Sequence, residues 1–148
     1  MAALLDGVCR LVAGDQGQVE RLAGLYAEET LVLHPMAPLG LDPLLTRDQL
    51  RRHFADGPGQ PSAIRRFEAT DVVVHHTTDP EVVVVEFAYL VAQGEQEERV
   101  PCVFVVRVRD GRIVESHDYI HHLAVARVTG GLPALAAKLA ADDLRYSV

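Results

Sequence analysis

The stretch Glu98–His122, ERVPCVFVVRVRDGRIVESHDYIHH, decides the fold. Two apolar, β-branched runs flank Asp110-Gly111, a dipeptide suited to the positive φ angles of a two-residue hairpin turn. Glu98–Arg109 and Arg112–His122 are therefore expected as paired antiparallel strands. On the second of them Val114, Ser116, Asp118, Ile120 and His122 share one face, because strand side chains alternate.

Working outward, Val82–Ala92 and Ile64–His76 read as two further strands joined through a turn at Asp79-Pro80, completing an antiparallel meander. Upstream the period changes. Leu4, Leu5, Val8, Leu11 and Val12 place an amphipathic helix over Ala2–Ala13. Gly14-Asp15 ends it, and Asp15 is positioned to cap a second helix, Gln18–Ala27, with Val19, Leu22, Leu25 and Tyr26 inward. Thr30–His34 is β-branched at its centre and stopped by Pro35, so it is expected as a short strand. An apolar loop, Pro35–Gly40, follows, and a third helix is expected over Thr46–Phe54, with Leu50 and Phe54 inward and Arg47, Arg51 and Arg52 solvated. From Leu123 the spacing is helical again, interrupted at Gly130-Gly131 and Pro133, and this tail is expected to close the open end. The pattern predicts one α+β domain over residues 1–148: a curved antiparallel sheet whose one face is covered by the preceding helices.

Composition narrows the function. A chain of 148 residues buries roughly 70% of its unfolded surface, enough for a core without staples. It is 49% hydrophobic with a mean hydropathy of +0.10, yet no stretch reaches the ~20 apolar residues of a membrane span. No secretory signal is visible in Met1–Arg10, which carries Asp6 and Arg10. Cys9 and Cys102 match no metal or redox spacing and are expected as reduced core residues of a cytoplasmic protein. A net charge of −7, from 14 Lys and Arg against 21 Asp and Glu, disfavours nucleic acid.

Three local stretches resemble the nuclear-transport-factor-2-like superfamily, in the branch of SnoaL-like polyketide cyclases and ketosteroid isomerases. Gly14-Asp15 followed by Leu25-Tyr26-Ala27-Glu28-Glu29-Thr30 is similar to that family's second helix entering its first strand. Asp110-Gly111-Arg112-Ile113 is similar to its last hairpin, and Ser116-His117-Asp118-Tyr119-Ile120-His121 to its final strand. The resemblance spans nearly the whole chain. It implies a cone-shaped, cystatin-like roll wrapped on N-terminal helices, with a closed apolar pocket. It implies no single reaction, because this scaffold carries isomerases, cyclases, hydrolases, hydroxylases and binders.

The same resemblance turns the Asp118 face toward the pocket and makes Asp118 the acid. Burial disfavours a carboxylate, so its pKa is expected to rise. His34, before Pro35, stands where ketosteroid isomerases carry a catalytic Asp-Pro; an imidazole near its ordinary pKa of about 6.5 would suit a general base or a partner to Asp118. Tyr89 is a candidate carbonyl donor. Strict ketosteroid isomerisation is disfavoured, since Gly7-Val8-Cys9 offers no Tyr on the first helix and Pro101-Cys102 no carboxyl. Epoxide hydrolysis is disfavoured too: Phe87 and Tyr89, or Glu86 and Ala88 in the other register, stand where an Arg and an Asp are needed. A cyclase-type reaction on a hydrophobic substrate fits better, in a pocket of Tyr26, Val32, Phe54, Phe87, Val100, Cys102 and Phe104 with Ser116 and His122. No cofactor is expected. The adjacent histidine pairs His75-His76 and His121-His122 point to opposite faces, and His117 and His121 lie roughly 13 Å apart along a strand. Only His34, Asp118 and His122 could meet as a facial set, and no metal is expected. The competing reading is a non-catalytic ligand-binding or dimerisation domain. Val72, Val74, Val103 and Val105 have outward parity, so a homodimer through the sheet face is expected.

Overall fold

In the computed structural model, which describes residues 1–56 and 63–141, the chain runs α1 (Ala2–Val12), α2 (Gln18–Ala23), β1 (Tyr26–Leu33), β2 (Leu44–Thr46), α3 (Arg47–Asp56), β3 (Ile64–His76), β4 (Val82–Gln93), β5 (Gln96–Arg109), β6 (Arg112–Ile120), α4 (His122–Val128) and α5 (Leu132–Ala141). The four long strands lie within a few residues of their expected ends. Asp110 and Gly111 take φ of 50° and 72°, the pair of positive angles that lets a two-residue turn follow the strand twist.

One sheet of six strands holds the order β2-β1-β6-β5-β4-β3, curved and unclosed. β3 to β6 form the antiparallel meander. β1 pairs parallel to β6, so the sheet is mixed, and β2 adds an antiparallel edge. The second helix stops at Ala23, four residues before the expected end, and Tyr26 belongs to β1. Leu22, Leu25 and Tyr26 fit a helical stripe, but pairing with Ile113 outweighs that local preference. Arg47 holds the start of the strand, donating two hydrogen bonds to the Tyr26 carbonyl at 3.1 and 2.8 Å.

Three rows cross the inner face. Val83, Val106 and Ser116 are in register with Val32; Val74, Val85 and Phe104 with Asp118; and Phe87 and Cys102 with Ile120. Two bulges alter the parity read from sequence. At Thr70–Val73, where Asp71 has φ 54°, β3 gains a residue, and Val74 faces inward beside Val85. The outward parity expected for Val74 is therefore corrected. Near Arg107–Val108, Val114 is the extra residue of β6, so Ile113 takes the buried place expected for Val114.

The helices cover the inner face, α1 lying over β3, α2 against α1 and α3, and α3 against β1. Gly7 marks the closest approach of α1 to α2: a Cβ there would stand 2.7 Å from Leu22 Cδ2 and 3.2 Å from its Cγ. Leu22 is fully buried and has no room to retreat. Gly7→Val is expected to lower stability by about 2 kcal/mol, readable in urea unfolding, because overpacking there exceeds any gain in helix propensity.

Candidate functional site

Asp118 and Ser116 are two residues apart on β6 and both point inward, with 8% and 0% of their surfaces exposed. The Ser116 hydroxyl donates to Asp118 Oδ1. Burial pushes the Asp118 carboxyl up to about 6, against the opposing pull of that hydrogen bond and of His117. A strand built for an apolar interior thus carries a carboxyl that titrates about a unit below neutral pH.

Tyr26 and Tyr89 share this interior. Burial raises both phenols, and the Asp118 charge raises them further, so both keep their protons. Cys102 is pushed up to about 12, mainly by burial, and Cys9 is also raised. These thiols stay protonated and unreactive near Tyr89. The two cysteines, far apart in sequence, both influence one phenol across the cone.

The β1–β6 register ends at Leu33 opposite His117, so His34 leaves the end of β1 just past that pair while Asp118 continues β6. His34 is half-buried, and burial, then His53 and His122, lowers it to about 4. His34 is therefore neutral across the physiological range and a weaker base than an imidazole near 6.5. His53 and His122 are also lowered, each chiefly by burial.

Nothing in the sequence marks His53. It lies next to Arg52 in α3 and keeps part of its surface open, which looks like a solvated helix position. In the fold its ring lies 5.5 Å from that of His34 and 5.6 Å from Phe54, and Phe54 lies 6.2 Å from Tyr26. A chain of rings thus runs from the Asp118 interior to the His34 edge. It is invisible in the sequence because α3 and the end of β1 meet only through tertiary packing.

The expected pocket residues divide. Tyr26, Val32, Phe87, Tyr89, Val100, Cys102 and Phe104 are buried together, and Phe54 packs against them. Phe87 meets Tyr89 and Phe104 edge-on at 5.0 Å, and Phe67 lies 4.5 Å from Tyr89, so this face is interlocked. A hollow of about 430 Å³ lies at the other end of the inner face, between the start of α1 and the strands, lined by Met1, Leu4, Leu25, Val74, Val108 and Ile113. None of the candidate residues lines it. Among the described residues, no group of three or more His, Cys, Asp or Glu side chains is placed to hold a metal ion, and no helix is long and apolar enough to cross a membrane.

A curved, unclosed six-stranded sheet packed on helices is a ketosteroid isomerase-like fold. The chain belongs to the SnoaL-like domain family, whose pattern matches residues 10–116. Solved structures agree on the fold. A protein from Bacillus subtilis ascribed to the isomerases is 24% identical with a TM-score of 0.67, over 88% of this chain and 87% of its own. A protein of ketosteroid isomerase-like fold from Catenulispora acidiphila DSM 44928, in complex with trimethylamine, is 17% identical with a TM-score of 0.62, over 86% and 92%. One from Shewanella putrefaciens CN-32, ascribed to the SnoaL-like polyketide cyclases, is 11% identical with a TM-score of 0.58, over 85% and 90%. A comparison with curated proteins finds no significant match.

Proposed function

We propose that this protein is a cofactor-free acid/base enzyme of cyclase, isomerase or lyase type, acting through Asp118 on a small hydrophobic, polyketide- or steroid-like molecule. The observation that carries the proposal is Asp118 itself: a buried carboxyl raised to about 6 on the inner face, tethered by Ser116. Its carboxylate would take a proton from a carbon beside a carbonyl and return it elsewhere, with the substrate's own acidity and conjugation lowering the barrier. His34 follows the end of β1, where Leu33 lies opposite His117, and Tyr89 is a protonated phenol available as a carbonyl donor. Membership of a SnoaL-like family and relatives ascribed to isomerases and polyketide cyclases support this reading.

The test is proton exchange, which needs no knowledge of the natural product. The protein is incubated in D2O with aromatic ketones that bind it, and deuterium at the α-carbon is followed by NMR. Exchange that requires Asp118 supports the proposal. Ligands that bind without any exchange would favour the second reading, a non-catalytic binding or dimerisation domain, which the interlocked Phe67, Phe87, Tyr89 and Phe104 rings also support. Dimerisation itself is compatible with either. Outside the cone, Val84 lies in register with Val105, and Val103 with Tyr119, all four half-buried in the single chain. This face is proposed as the homodimer contact, and Val105→Glu is expected to give a monomer in analytical ultracentrifugation.

A further inference from the structure

His34 Nδ1 and His122 Nε2 are buried and make no hydrogen bond within the described residues. Such groups are uncommon in folded proteins, because each has given up water without gaining a partner. The two rings reach the site from different elements. His34 follows β1, and His122 opens α4 just beyond the end of β6. They are close enough for each other's charge to be felt, and both flank the strand of Asp118: Leu33, just before His34, lies opposite His117, and His122 follows the end of β6.

We propose that His34 and His122 form a paired donor site for a substrate oxygen, serving proton transfer at Asp118. This rests on the acid/base reading of Asp118 and supplies what that reading lacks, a group to hold the charge that leaves the carbon. A neutral imidazole carries one N–H, and a ligand oxygen selects the tautomer that places it on the buried nitrogen. Asp118 takes the α-proton as the C–H bond breaks. The C–H electron pair forms the new carbon–carbon double bond, and the carbonyl π pair moves onto oxygen. The two N–H groups then hold that oxygen without giving up their protons. Return of the proton from Asp118 to carbon restores both partners. The first helix has Gly7-Val8-Cys9 where a donor Tyr would stand, so the donors come instead from the end of β1 and the start of α4.

The full chain, labelled with ¹⁵N-histidine, would be titrated with 2-naphthol, a flat phenol that mimics an enol, and with naphthalene, which has the same shape without the oxygen. Expected are ¹⁵N shifts at His34 Nδ1 and His122 Nε2 with 2-naphthol only, and tighter binding of 2-naphthol than of naphthalene. His34→Phe and His122→Phe are each expected to weaken 2-naphthol by roughly 3- to 10-fold while leaving naphthalene within about 2-fold. His34→Asn and His122→Gln, which put an amide N–H near the lost nitrogen, should recover part of the loss. Equal binding of the two probes, with no shift at either nitrogen, would overturn the donor pair and leave the acid/base reading of Asp118 standing. Binding of neither would overturn both. The shifts are read on the unmutated protein, so the test survives a variant that fails to fold.

Discussion

Asp118→Asn is expected to remove activity and to make the protein more stable. Loss of the acid/base group should slow α-proton exchange by about 10²- to 10⁴-fold. Stability moves the other way because the folded carboxyl titrates at about 6 against an ordinary 3.8. The folded state binds the proton more tightly than the unfolded chain does. Its contribution is therefore fully present below pH 3.8 and lost as pH rises through about 6. A rise of that size corresponds to about 3 kcal/mol, so the Asn variant should gain close to that at about pH 8, or roughly 5–10 °C in Tm. The gain should shrink toward zero at about pH 3.5. Calorimetry at the two pH values reads it directly, and a variant less stable than wild type at the higher pH would mean that native partners favour the Asp118 charge.

The second large effect is acid destabilisation at the histidines. His34 is depressed to about 4, so its contribution is present above its unfolded value of 6.5 and is lost as pH falls through about 4. His53 and His122 are shifted in the same direction. Between about pH 6 and 4 the Asp118 contribution rises while the imidazole contributions fall, and the two partly cancel. In the Asp118→Asn background the cancellation is gone, and stability should drop steeply on acidification. Adding His34→Gln should recover about 1–2 kcal/mol of that drop near pH 4, a figure reduced for the solvent at the open edge of the ring. An unchanged slope would place the acid-sensitive group elsewhere.

Strand alternation and a positive-φ turn are local, so Asp110-Gly111 sets the hairpin and the sequence groups Asp118 with Ser116 on one face of its second strand, whereas only the family resemblance implied that this face points inward. Tyr26 and Val74 are less legible in the sequence. Tyr26 completes a helical stripe with Leu22 and Leu25, and only the parallel pairing with β6 draws it into a strand. Val74 changes face because Asp71 adds one residue to β3, and a single bulge inverts every parity beyond it. β2, three residues long, is too short for any period. The unpaired nitrogens of His34 and His122 have no sequence signature at all, since an unsatisfied donor is a property of what surrounds it. Family resemblance points to the position of His34, but its neutrality comes from desolvation and two neighbouring imidazoles.

Whether Asp118 is a carboxyl poised for proton exchange is read from a ¹³C NMR titration of its side-chain carboxyl. The midpoint is expected near pH 6, shifted again when a flat aromatic ketone binds. A midpoint near 3.8, insensitive to such ligands, would describe an ordinary solvated aspartate and contradict that expectation.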